Sequence, residues 1–180
     1  AAASAWGVCR LPVGHLTLEP AGTITSVDWR LDLWNAELAG TVTTSKGTLR
    51  VRAFIHTTRS VFVATATATG TEQVKWVFHD EKAISPKSDS ESPPSGYTEN
   101  PAPTKKTTAN VNLVVQPLVA GGQTATAYRK AGDTLYLSVA HTFPEKTAEA
   151  AARATVENAV TTGEADLRAS HRSWWNAFYQ

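Results

Sequence analysis

A pair of carboxyl groups can divide the work of general acid and general base, and two acidic clusters lie near an irregular stretch of backbone: His79-Asp80-Glu81, and Asp89 with Glu91. Solvated loop charges account for both more simply, since Asp and Glu are mostly exposed. Asp28 and Asp32 alternate with Trp29 and Leu31, so they belong to the wet face of a strand. The histidines, His15, His56, His79, His141 and His171, lack the paired spacing of a metal site, and the single cysteine, Cys9, adds no ligand. Neither a metal nor another cofactor is expected. A Gly-rich phosphate loop and a nucleophile elbow are both missing from the sequence.

Aromatic rings are the other chemically informative residues, because their faces suit the apolar side of a pyranose. Trp29 and Trp76 alternate with polar neighbours, which points to core burial. Trp6 and Trp34 lie near strand ends, where spacing decides neither for core burial nor for sugar binding. Trp34, Asp80, Glu81 and Tyr97 are therefore the candidate substrate-binding residues. Leu167, His171, Trp174, Trp175 and Phe178 recur at i, i+4, i+7, i+8 and i+11, one apolar face of a helix. That stripe carries its heaviest load on the final turn, without Gly, Pro or a polar cap, as in a connector whose burial partner is a further domain. His171, Trp174, Trp175 and Phe178 are accordingly read as interdomain contacts.

The elements that position these residues have two periods. From Val13 to Phe143 the period is two. Val27, Trp29, Leu31 and Leu33 mark one strand; residues 41–44 and 49–55, joined through Gly47, mark a hairpin. Further runs follow at 61–69, 74–78, 111–115, 124–128 and 135–139. Short turns between successive strands imply antiparallel pairing, and so many strands imply two packed sheets. Inward phases place Trp29, Leu31, Leu33, Leu49, Val51, Ile55, Val61, Val63, Leu113, Val115, Leu135 and Leu137 in one inter-sheet core. Residues 81–109 hold Pro86, Pro93, Pro94, Pro101 and Pro103, which excludes a central strand and predicts a long, mobile loop with few apolar anchors besides Ile84 and Tyr97. After Pro144 the period becomes 3.6, with Thr147 as the N-cap and Gly163 as the stop of a first helix. The expected fold is mainly β: an antiparallel β-sandwich of the supersandwich type over residues 1–143, then one or two C-terminal helices over 144–180 as a linker.

Composition sets broad limits. The formal charge of +1 favours neither nucleic acid nor an anionic membrane, and no apolar run approaches the roughly 20 residues of a membrane helix. One cysteine forbids an internal disulfide, so secreted and cytoplasmic locations are both compatible. The small-residue start, Ala1-Ala2-Ala3-Ser4-Ala5, lacks an intact signal peptide and suits either an artificial boundary or the product side of a cleaved leader.

Arg30-Leu31-Asp32-Leu33, the hairpin through Gly47, and Arg52-Ala53-Phe54 together resemble the N-terminal sandwich domain of glycoside hydrolase family 95, where a strand of the R-x-L-D-L kind leads into a glycine hairpin and an R-x-F strand. His171, Trp175 and Phe178 resemble the segment that leads from that sandwich into a toroid of helical hairpins. The resemblance spans about Val27 to Gln180. It implies a parent enzyme that hydrolyses O-glycosidic bonds, with α-L-fucosides as the best-known substrate, by an inverting mechanism run from the toroid. Trp34-Asn35 and the Ser/Pro-rich loop depart from the fucosidase pattern, so a related glycosidase subgroup fits equally well. On this expectation the chain is a non-catalytic domain, its partners are its own helical catalytic domain and that domain's glycan, and no catalytic residue lies within it. The alternative is an independent carbohydrate-binding sandwich with its own sugar site.

Overall fold

Alternating strands with Gly-bearing turns build two antiparallel sheets and, after them, two helices. The computed structural model describes residues 10–89 and 91–180; Trp6, Cys9 and the small-residue start lie outside them. The strands are β1 (His15–Pro20), β2 (Ile24–Asp32), β3 (Glu37–Thr44), β4 (Gly47–Ile55), β5 (Val61–Ala68), β6 (Val74–His79), β7 (Thr104–Thr108), β8 (Val111–Pro117), β9 (Gln123–Ala131) and β10 (Thr134–Thr142). Helices α1 (Ala148–Thr162) and α2 (Glu164–Phe178) follow. Eight strands form one sheet in the order β2-β3-β4-β5-β10-β9-β8-β7, and β1 pairs with β6 in a separate ribbon. Gly47 opens β4 with φ of 148°, and a Cβ there would lie 2.1 Å from the Thr69 carbonyl oxygen, so the turn from β3 demands glycine.

The large sheet buries its two faces against different partners. On one face Val42, Leu49, Val51 and Ala66 pack under Leu18, Val74 and Trp76 of the ribbon. On the other, Val61, Val63, Val111, Leu113, Val115, Ala125 and Ala127 pack under Ala148, Ala152, Val156 and Ala159 of α1. The expectation of one inter-sheet core is corrected accordingly. Leu49 and Val51 belong to the ribbon side, whereas Val61, Val63, Leu113 and Val115 belong to the helix side. Trp29, Leu31, Leu33 and Ile55 are exposed, because the two-stranded ribbon is too narrow to cover the β2 end of the sheet.

Alanines on one side of α1 let the helix approach the sheet closely. Its start is capped by Thr142 rather than Thr147: the Thr142 Oγ1 accepts hydrogen bonds from the backbone N–H groups of Thr147 (3.1 Å) and Ala148 (3.0 Å). Gly163, φ 85°, ends it and donates its N–H to the Ala159 carbonyl at 2.9 Å.

Residues 81–109 are not loop throughout. Thr104–Thr108 form β7, a five-residue strand at the rim of the large sheet. An all-polar Thr-Lys-Lys-Thr-Thr segment carries no apolar alternation, so only its pairing with β8 reveals it. The loop before it is fastened by polar groups instead of apolar anchors. The Gln116 side chain accepts from Ala83 N (3.1 Å) and donates to Pro101 O (2.7 Å). Asn100 donates to Ala83 O (2.7 Å) and accepts from Val119 N (2.8 Å). Both roots of the loop are thereby tied to the end of β8 and the turn that follows.

Candidate docking surface

The helical stripe divides into a buried root and an exposed tip. Leu167 and His171 are buried; Trp174, Phe178 and the adjoining Tyr179 are exposed. Polar contacts set where α2 crosses the sheet. Arg172 forks onto the buried carboxylate of Glu37 at the start of β3, with Nη2 2.7 Å from Oε2 and Nε on Oε1. Arg52 Nε lies 3.6 Å from the same carboxylate. Hydrogen bonding to Glu37 holds the Arg172 guanidinium above its ordinary pKa. The Asn176 side chain donates to the Trp34 carbonyl at 2.9 Å, and the His171 ring meets Phe54 with centroids 4.8 Å apart. His171 Nε2 sits 3.2 Å from the Ala36 carbonyl.

Beyond the clasp the aromatic rings assemble among themselves. Trp174 stacks on Phe178 at 5.5 Å, Trp175 on Tyr179 at 5.8 Å, and Tyr179 on Trp34 at 5.9 Å. Trp34, a candidate sugar ligand by sequence, thus joins the α2 cluster predicted as interdomain. A cleft of about 340 Å³ bounded by Leu31, Ile55, His171 and Trp175 opens beside it. Leu38, Ala53 and Phe62 line both this cleft and a second one of about 380 Å³ that reaches Trp29, Leu18 and Trp76. The two are one continuous apolar belt from the ribbon to α2. Trp29 lies over Gly40, where a Cβ would meet the indole at 2.3 Å, so the ring is seated directly on the backbone of β3. Core burial of Trp29, expected from its alternation, is corrected: the indole is 45 % exposed. Trp76 does pack against the ribbon-side core.

The remaining predicted ligands lie elsewhere. Asp80 pairs with Lys105 of β7, and Glu81 sits 3.0 Å from His15 Nδ1, whose ring stacks on His79 at 4.6 Å. Tyr97 is half-buried in the loop. Since β7 and β2 are opposite rims of an eight-stranded sheet, Asp80 and Trp34 are separated by on the order of 30 Å. Trp34, Asp80, Glu81 and Tyr97 therefore form no single site. The Lys105 hydrogen bond, the largest influence, holds the Asp80 carboxyl below its usual range, the opposite of what a proton donor needs. Glu19, Asp32 and Glu72 are lowered as well. Among the described residues no group of three or more His, Cys, Asp or Glu is placed to hold a metal ion, and no helix is long and apolar enough to cross a membrane.

Sequence reasoning passed over Leu38 and the Glu37–Arg172 clasp, and it placed Trp29, Leu31 and Ile55 in the core. Leu38, like those three, was legible as an apolar strand position but not as an uncovered one. Glu37 and Arg172 stand 135 residues apart, and no local pattern pairs them. No protein-family model matches the chain, and no curated protein matches it.

Proposed function

We propose that this chain serves as the non-catalytic sandwich domain of a glycoside hydrolase similar to family 95, with an α-L-fucosidase-like parent, and that its apolar belt seats the helical catalytic domain. The observation that supports this reading is the continuity of Trp29, Leu31, Leu38 and Ile55 with Trp174, Trp175 and Phe178. Contiguous apolar surface of this kind marks an interaction site. Aromatic anchors beside a buried, charge-paired clasp are what a stable domain interface uses. Joined to Arg30-Leu31-Asp32-Leu33 and Arg52-Ala53-Phe54, which resemble the family's strands, the belt gives the domain a mechanical role, holding the toroid in place and bordering its glycan site.

The test is expression of the whole reading frame that contains this chain, beside the 180-residue chain itself, with both assayed on aryl α-L-fucosides and other aryl glycosides. Hydrolysis by the parent alone is expected. Turnover by the 180-residue chain, or a parent without helical hairpins next to the sandwich, would refute the reading. Saturable glycan binding by the isolated chain at the Trp34 cluster would favour an independent carbohydrate-binding module.

A further inference from the structure

The helix-bearing face of the large sheet is only half covered. Beyond Phe54, Val61 and Val63, which α1 and α2 cover, the β2–β5 half of that face is mostly polar, and its side chains fall into two rows set by strand register. Arg30 stands opposite Ala39, Ala39 opposite Arg52, and Arg52 opposite Thr65. In the next row Asp28 faces Thr41, Thr41 faces Arg50, and Arg50 faces Thr67. The middle strand contributes only Ala39 and Thr41 here, so a trough runs between the arginines of β2 and those of β4. Across β3 Arg30 faces Arg52 and Arg50 faces Asp28, so Arg30 and Arg50 stand diagonally, two strand spacings and two residues apart. About 12 Å separates their backbones, which their long side chains can close onto one small anion. The first turn of α2 borders the trough with Glu164 and Arg168, and the groove, open to solvent, offers about 530 Å³. That volume lies in the range of small-molecule sites.

Charge in the trough is unbalanced. Arg168 is satisfied by Glu164 at 3.1 Å, and Arg52 shares Glu37 with Arg172. The guanidinium groups of Arg30 and Arg50 make no side-chain hydrogen bond or close ion pair with a described residue, although Arg30 also acts through space on the Asp32 carboxylate. Two planar, permanently charged forks therefore face the trough from either side of β3. No aromatic ring lines it, which removes the stacking surface a nucleobase needs. Asp28 and Glu164 oppose a polyanion such as an acidic peptide, yet they accept hydrogen bonds from hydroxyl groups, as do the threonines.

We infer that the trough between β2 and β4 binds a saccharide unit bearing one carboxylate, a uronic acid, with Arg30 and Arg50 on the carboxylate and Asp28, Thr41 and Thr67 on the hydroxyls. This site lies on the opposite face of the sheet from the apolar belt, and it does not depend on the glycosidase reading. Titration of the chain with a disaccharide carrying one glucuronic acid, followed by amide chemical shifts and calorimetry, tests it against the neutral glucose counterpart and inorganic sulfate. Saturable binding of the acidic disaccharide is expected, with shifts at residues 28–30, 39–41 and 50–52 and at least about tenfold weaker binding of the other two. R30Q/R50Q should weaken the acidic disaccharide about tenfold or more, and A39Q, which fills the trough without altering charge, should do the same while far-UV circular dichroism stays unchanged. Equal affinity for the neutral sugar, equal affinity for sulfate, absence of saturation at millimolar concentration, or an unchanged affinity in R30Q/R50Q would each overturn the inference.

Discussion

Removing Arg172 should loosen α2 from the sheet far more than its position on a mostly wet helix suggests. Glu37 is only 3 % exposed, and in the wild-type chain its carboxylate is neutralised by the Arg172 fork and, more distantly, by Arg52 at 3.6 Å. Breaking a buried pair from one side generally costs about 3–5 kcal/mol, because the partner charge stays behind in a poorly solvated place. Arg52 keeps part of the compensation, so the lower end applies to Arg172→Ala, about 3 kcal/mol. For a chain of this size each kcal/mol moves Tm by roughly 2–4 °C, so the drop should be about 6–12 °C. The assay is thermal unfolding of four proteins: wild type, R172A, E37Q and R172A/E37Q. The double variant has no stranded charge and should recover part of the loss, with a coupling energy of about 1–3 kcal/mol. A loss below about 1 kcal/mol in R172A, or strictly additive single and double variants, would refute the reasoning and reduce the clasp to an ordinary surface pair.

Four further outcomes follow from the structure. Leu113→Ala, deep under α1, should cost about 2–5 kcal/mol, whereas Leu31→Ala on the exposed belt should stay within about 0.5 kcal/mol in denaturant titrations of the isolated chain; equal losses would mean that the belt is covered. Glu72 accepts from the backbone N–H groups of Ala21 (2.6 Å), Gly22 and Gln73 and from the Thr44 hydroxyl, the last its largest influence, and its pKa is pushed down to about 2 from 4.5. Between those values the unfolded chain binds more protons than the folded one, so stability should fall as pH drops through that window, and Glu72→Gln should flatten the acid limb of the stability curve. Burial, the main cause, holds His56 below its ordinary pKa, so folding should weaken as pH falls from about 6.5, and His56→Gln should remove that dependence in urea titrations at stepped pH. A W174A/F178A variant should bind less of a hydrophobic dye than wild type with Tm nearly unchanged; undiminished dye binding would place the exposed apolar surface elsewhere.

Much of the fold was legible because strand phase and turn chemistry are local. Gly47 and Gly163 mark a turn and a stop by backbone need, and the alternation from Val27 to Leu31 gives the correct two faces of β2. What periodicity leaves out is whether a partner layer lies over an apolar face. Trp29 and Leu113 look alike along the chain; one meets solvent and the other α1. The candidate site fared similarly. Trp174, Trp175 and Phe178 were readable as a surface stripe, since helical spacing is local, while the partnership of Trp34 with Tyr179 and of Glu37 with Arg172 depends on where α2 crosses the sheet. Asp80 and Glu81, adjacent in sequence to one another, were drawn off by Lys105 and His15.

The two rims of the large sheet behave differently towards other strands. On β7, Lys105 is matched to Asp80 and Lys106 to Glu149, a charged border that discourages a foreign strand from docking. β2 has no neighbour on its outer side among the described residues and carries Ile24, Val27, Trp29 and Leu31 exposed. Edge pairing is therefore expected at β2 before β7, and a β2-to-β2 pair, closed on a twofold axis, would leave the paired lysines of β7 at both outer edges.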